Sequence, residues 1–358
     1  MSRLRGILGI LLFACSALAT PVFNLTYVPG TPANAQAAFQ MAAAQWTGYF
    51  TDNVTINLTI GFKPMPSGIN AGSATLGFYS YEAVRNALMA NVTSTADAST
   101  VSHLQPGDLD LLINRTLDNP NGPGSVTPYV DNDGGSNNTT LQLTNANAKA
   151  LGLAITATSA PTGCVGNALN CDAFIMFNSN LAWDFDPTNG ITPGTYDLVA
   201  LTLHDMGEAM GFLGGVKILN NPQAGAFPDD AFRFVHTLEL FRYSHLSFQS
   251  GVIDWSADTR ERYFSIDGGA TAIALMTNGA QGGEHWKDNL GLGIFDPTLS
   301  PGELGVITAN DRLALDVMGW DPVRTNDPPG THTPEPGSLL LSGLGLLAAA
   351  LIRRNRQP

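Results

Sequence analysis

The segment Leu203-His-Asp-Met-Gly-Glu-Ala-Met-Gly-Phe212 constrains this chain more than any other. It reads as the end of a helix running from Tyr196 to Phe212, stopped by the glycine-rich Gly211-Phe-Leu-Gly-Gly215. Positions i and i+4 share one face of a helix, so His204 and Glu208 point the same way. An imidazole and a carboxylate then face one common space, with the Asp205 carboxylate beside them.

Zinc accepts imidazole nitrogen and carboxylate oxygen, and sites of two histidines and a glutamate catalyse peptide hydrolysis. The zinc-peptidase helix signature is His-Glu-x-x-His, with the glutamate as general base. Here the first histidine stands at His204, the base position holds the shorter Asp205, and the second histidine position holds Glu208. A third ligand is needed. The extended pattern would place it at Gly214, which offers no donor. Of the other body histidines, His103, His236 and His245 read as structural or surface groups, and no spacing selects Asp229, Asp230 or Glu239 as ligands.

A resemblance points to His285. Gly283-Glu-His-Trp-Lys287, followed by Gly293-Ile-Phe-Asp-Pro297, is similar to the third-histidine and Met-turn region of leishmanolysin-type metzincins, and especially to a family of PEP-CTERM-tailed bacterial metalloproteases. The helix of that family reads His-Glu-Ile-Gly-His-Ala-Leu-Gly-Phe, which His204 to Phe212 follow apart from the substitutions. Leu240 to Ser244, Phe264 to Gly269 and Asp316 to Trp320 also keep its pattern. The resemblance covers residues 170–322 and, more loosely, the N-terminal half. It implies a zinc ion held by His204, Glu208 and His285, with Asp205 as the general base. It also implies a Met-turn position filled by Phe295, whose ring should alter packing beneath the site. Asp205 is one methylene shorter than glutamate, which withdraws its carboxylate by roughly 1.5 Å, and misplacement on the order of 1 Å costs about a hundredfold in rate.

The two ends read as sorting segments. Met1 to Ala19 has a basic start (Arg3, Arg5), an apolar run from Ile7 to Ala14 and small residues at Ala17 and Ala19, the pattern of a secretory signal peptide. A lipoprotein leader ending at Cys15 is the alternative. At the other end, Pro334-Glu335-Pro336, an apolar stretch from Leu339 to Ile352 and Arg353-Arg354-Asn355-Arg356 together resemble the PEP-CTERM sorting signal of Gram-negative bacteria. That resemblance implies exosortase as a partner; a plain membrane anchor is the alternative. The 14-residue apolar stretch is about 21 Å long as a helix, thin for a bilayer span.

Export makes the cysteines legible. Cys15 leaves with the leader, so Cys164 and Cys171 remain as an even pair in an oxidising compartment, where a disulfide is expected. The formal net charge is −13, and five of the 17 basic residues lie in the terminal segments. Such a body repels phosphate backbones, which excludes nucleic acid as a partner.

Along the body, Asn34 to Phe50 has helical spacing with Asn34 as cap, and Val54 to Phe62 alternates as a half-buried strand. A helix is expected over 81–89, a short strand or helix end over 109–113, a loop over 116–140, a strand over 173–177 and a helix over 309–318. Asp131-Asn-Asp-Gly-Gly135 reads as a polar turn, its calcium-loop frame being incomplete.

The expected architecture is α+β: a metzincin-like zincin domain over residues 20–325, with a twisted N-terminal sheet, an active-site helix and an irregular C-terminal half. It follows a signal peptide (1–19) and precedes a linker (326–333) and the sorting segment (334–358). The expected function is that of an exported zinc metalloendopeptidase acting on protein or peptide substrates at the outer surface or in the extracellular matrix. Its altered motif implies reduced activity. The alternative is a non-catalytic cell-surface or biofilm-matrix protein that reuses the fold for binding, with envelope exopolysaccharide as its surroundings.

Overall fold

The alternating segment folds as an inner strand of a four-stranded sheet. The computed structural model describes residues 20–278 and 283–323. The leader, the linker and the tail with Pro334, Glu335 and Pro336 lie outside the described residues. The sheet contains β1 (Val22–Tyr27), β2 (Thr55–Lys63), β3 (Asn70–Ala74) and β4 (Ala173–Asn178), in the spatial order β1-β2-β4-β3. β1, β2 and β4 are parallel, and β3 runs antiparallel to β4 as an edge strand. In β2, Ile56, Leu58, Ile60 and Phe62 are buried as the alternation requires, but Thr59 and Gly61 are buried as well. Parallel strands need crossover connections, which cover both faces of a sheet. At Gly61 an added Cβ would lie 2.7 Å from the Val28 side chain, so only glycine permits that approach.

Three helices frame the site: α1 (Ala33–Thr47), α2 (Leu198–Ala209) and α3 (Ala309–Val317). α1 begins after Pro32, so Asn34 lies inside the first turn and does not cap it; its side-chain oxygen accepts from Ala35 N at 3.0 Å. The stripe of Ala35, Ala38, Ala42 and Ala43 lets α1 approach α2 closely. Trp46 closes the contact by donating its indole N–H to the Leu203 carbonyl at 2.9 Å. α3 leads into Trp320, whose indole donates to the Met210 carbonyl at 3.0 Å. The chain then returns to α1: Thr51 N donates to Asp321 O at 2.8 Å, and Val323 N to Tyr49 O at 2.9 Å.

The described residues form eight α-helices and several small sheets, a mixed α+β architecture. Residues 116–140, expected as loop, include a strand at Tyr129–Asp131 that pairs with Leu111–Ile113. The pairing partner is the preceding strand, which lies outside the segment itself, so the segment's own composition does not reveal it. In the C-terminal half, strands Arg242–Tyr243, Arg262–Phe264 and Ala274–Met276 form one small antiparallel sheet. Cys164 and Cys171 are joined by a disulfide just ahead of β4. Among the described residues, no helix is long and apolar enough to cross a membrane.

Candidate metal centre

α2 is set by its ends. The Asp197 side chain caps it by accepting from Ala200 N at 2.9 Å. The helix stops earlier than the periodicity suggests, at Ala209, because Gly211 turns the chain with φ +124°. Most of α2 is buried, including Leu198, Val199, Leu203 and Met206. Its polar positions line a cleft of about 590 Å³. His204, Asp205 and Glu208 form one wall, the edge strand from Asn70 to Gly72 a second, and the loop through Ile294, Asp296 and Leu304 a third.

His285 reaches the same cleft from a backbone extension of the small C-terminal sheet. Thr277 N donates to its carbonyl at 2.9 Å, Trp286 bridges to Met276, and Lys287 N donates to Leu275 O at 2.8 Å. The result brings His204, Glu208 and His285 together, with one donor atom from each lying within 4.8 Å of the others. Nε2 of His204 is 3.4 Å from Oε1 of Glu208, and Nε2 of His285 is 3.5 Å from the same oxygen. The imidazole rings are nearly parallel, 5.2 Å apart at 21°.

The other ring nitrogen of His204 is committed. Nδ1 lies 2.9 Å from the Ile294 carbonyl, which can only accept, so Nδ1 carries hydrogen and, in the neutral ring, Nε2 keeps a free lone pair. Beneath the ring, Phe295 stacks on Phe212 with centroids 3.6 Å apart at 6° and meets His204 edge-on at 5.9 Å. A Cβ at Gly207 would overlap the Phe295 ring, so the glycine makes room for this floor.

Asp205 lies in the cleft wall but outside the three-donor group. Both of its carboxylate oxygens accept from Asn70 Nδ2, at 2.8 Å each. Asn70 is the site residue that sequence reasoning misses, because nothing local ties the head of a Gly/Ala/Ser strand to position 205. His103 and His245 are exposed and His236 is buried, and none of them joins the group.

The charges in this cluster reinforce one another. Burial disfavours protonation of His204, but the Glu208 carboxylate, Asp205 and the Ile294 carbonyl outweigh it and raise its pKa to about 9. Burial likewise opposes ionisation of Glu208, yet His204 and His285 hold its carboxyl well below the ordinary range. For Asp205, burial and then the Glu208 charge push the pKa up to about 7, against His204 and Asn70.

The donor set fits a divalent metal with nitrogen and oxygen preferences. Bonds of 2.0–2.1 Å in tetrahedral zinc imply donors about 3.3 Å apart. Charge-assisted N–H···O bonds are about 2.7–2.9 Å long. The His–Glu separations of 3.4 and 3.5 Å match the ligand cage better than the ion pair.

A family model of the PEP-CTERM protein-sorting motif matches residues 332–356. The chain carries a PEP-CTERM tail. It is therefore an exported protein, sorted through exosortase and anchored at its C-terminus to the cell envelope. The three-donor group thus belongs to a PEP-CTERM protein that works outside the cytoplasm. No curated protein and no solved structure matches the chain.

Proposed function

We propose that the body of this PEP-CTERM protein is a zinc metallopeptidase of metzincin-like type, hydrolysing peptide bonds in protein or peptide substrates at the cell surface. The observation that carries the reading is the convergence of His204, Glu208 and His285, remote in sequence, on one cleft. When bound, zinc supplies Lewis acidity and lowers the pKa of water to about 7. His204 and His285 would hold it through Nε2 and Glu208 through a carboxylate oxygen. Ile294 fixes the tautomer that leaves Nε2 of His204 available. Asp205 would accept a proton at its carboxylate and return it to the leaving amine, with Asn70 orienting that carboxylate. β3 offers an extended substrate an edge to pair with along the cleft, its small residues Ala71, Gly72 and Ser73 being exposed.

Zinc stoichiometry of the purified protein, with and without His285→Ala, tests the metal. One zinc per wild-type chain and none in the variant is expected; no zinc in either removes the reading. A peptide-library assay with Asp205→Ala as control tests catalysis. A second reading, metal-dependent binding without turnover, draws on Asn70, whose amide engages both Asp205 oxygens. Equal turnover by wild type and Asp205→Ala would favour it.

A further inference from the structure

Gly214 occupies the place where the extended zinc-peptidase pattern carries its third ligand, and its bareness has a steric reason. A Cβ there would lie 2.8 Å from Glu284 Cβ and 3.0 Å from Glu239 Oε1. At Gly215 it would overlap the Phe234 carbonyl oxygen. Gly214 thus leaves room for Glu284, in the segment bearing His285, and Gly215 leaves room for Phe234. Glu284 is 2% exposed in that contact. Its Oε1 accepts from Lys217 Nζ at 2.9 Å, and its Oε2 has no hydrogen-bond partner among the described residues. Lys217 stands on the 3-10 turn Val216–Asn220, directly after Gly215, and its side chain is 60% exposed. On the other flank of the segment, the buried Arg242 donates Nε–H to the Gly283 carbonyl at 3.1 Å.

We propose that Lys217 is a positioning residue for His285. Its ammonium, held on the Glu284 carboxylate, clamps the ligand-bearing segment against Gly214 and so presents the imidazole to His204 and Glu208. Without the ammonium, Glu284 is a buried, unpaired carboxylate, a costly arrangement. The relief open to it is to swing toward solvent, and His285 is the next residue. The functional meaning of this clamp rests on the metal reading above, but the clamp itself can be observed without metal. A simple charge effect has the opposite sign: Lys217 also feels the Glu208 charge, so deleting a nearby cation without moving His285 would tighten binding of a divalent ion.

The test is a cobalt(II) titration followed by the absorption of the bound ion, together with amide hydrogen exchange over residues 283–287 in the metal-free protein. Lys217→Met is expected to weaken cobalt binding by about tenfold or more, as lost ligand-orienting contacts do, and to speed exchange in that segment. Lys217→Arg should restore both. The double variant Lys217→Met/Glu284→Gln, which leaves no buried charge unpaired, should recover most of the loss. Cobalt binding by Lys217→Met equal to or tighter than wild type, with unchanged exchange, overturns the proposal. Failure of the wild type to bind cobalt would count against the metal reading, and the exchange comparison would still decide the clamp.

Discussion

Nε2 of His285 lies 3.5 Å from Oε1 of Glu208. The same oxygen is 3.4 Å from Nε2 of His204, so one carboxylate oxygen is the meeting point of two imidazoles delivered by different parts of the fold. Glu208→Gln keeps the size of the side chain and removes its charge. Zinc affinity measured by chelator competition should fall by roughly a hundredfold or more. Glu208→His, which replaces the oxygen with a nitrogen donor, should retain it.

The motif departures are reversible by mutation. Asp205→Glu combined with Glu208→His returns the longer base and the second imidazole. Because a carboxylate displaced by on the order of 1 Å costs about a hundredfold, kcat/KM on a peptide library should rise by a similar factor. An unchanged or lower value would show that Asp205, as Asn70 holds it, is not the limiting element.

Acidity acts on the centre with a definite sign. In the metal-free protein the His204 pKa is raised to about 9 from an ordinary 6.5, chiefly by Glu208 working against burial. Its stabilising contribution is therefore complete below pH 6.5 and disappears as pH climbs through 9. Zinc must displace that proton, so its affinity should increase by about tenfold per pH unit across the same window. Calorimetry of chelator-treated protein should show falling stability over this range, and zinc-loaded protein should not.

Gly207 sits inside α2, where alanine is ordinarily better by about 1 kcal/mol. Here a methyl group would overlap Phe295, and overpacking of that kind costs about 1–3 kcal/mol. Gly207→Ala is expected to lower the denaturation midpoint despite its propensity advantage. Pairing it with Phe295→Leu should recover most of the loss.

Asp316 lies buried on α3 near Asp97. Desolvation first, then the Asp97 charge, push its pKa up to about 8. A folded-state value above the ordinary 3.8 means that ionisation opposes folding, so this contribution is complete below pH 3.8 and is lost as pH rises from there through 8. Asp316→Asn should change the melting temperature little below about pH 4 and raise it progressively from there to pH 8. Thermal scans across that range give the answer.

The motif helix was legible because its chemistry is local: His204 and Glu208 are one turn apart wherever that helix folds. His285 entered only through resemblance, since its approach depends on strands Arg262–Phe264 and Ala274–Met276 pairing at a distance. Asn70 had no signal at all. Its contact with Asp205 arises because β3 turns back as an antiparallel edge beside β4, a choice of topology that residue spacing does not encode. Burial of Thr59 and Gly61 is illegible for a related reason, because strict alternation describes a sheet covered on one face and this one is covered on both.

The described body ends where Val323 is bonded to Tyr49, a short way along the chain from Trp46, whose indole holds the carbonyl of Leu203. A molecule moored by its tail takes any tug from the envelope at this seam. The seam runs into α1 and from there to the peptide bond preceding His204. The end of the described body and the helix that carries His204 thus share a single strut, and shear at the cell surface has a short covalent and hydrogen-bonded route to the candidate centre.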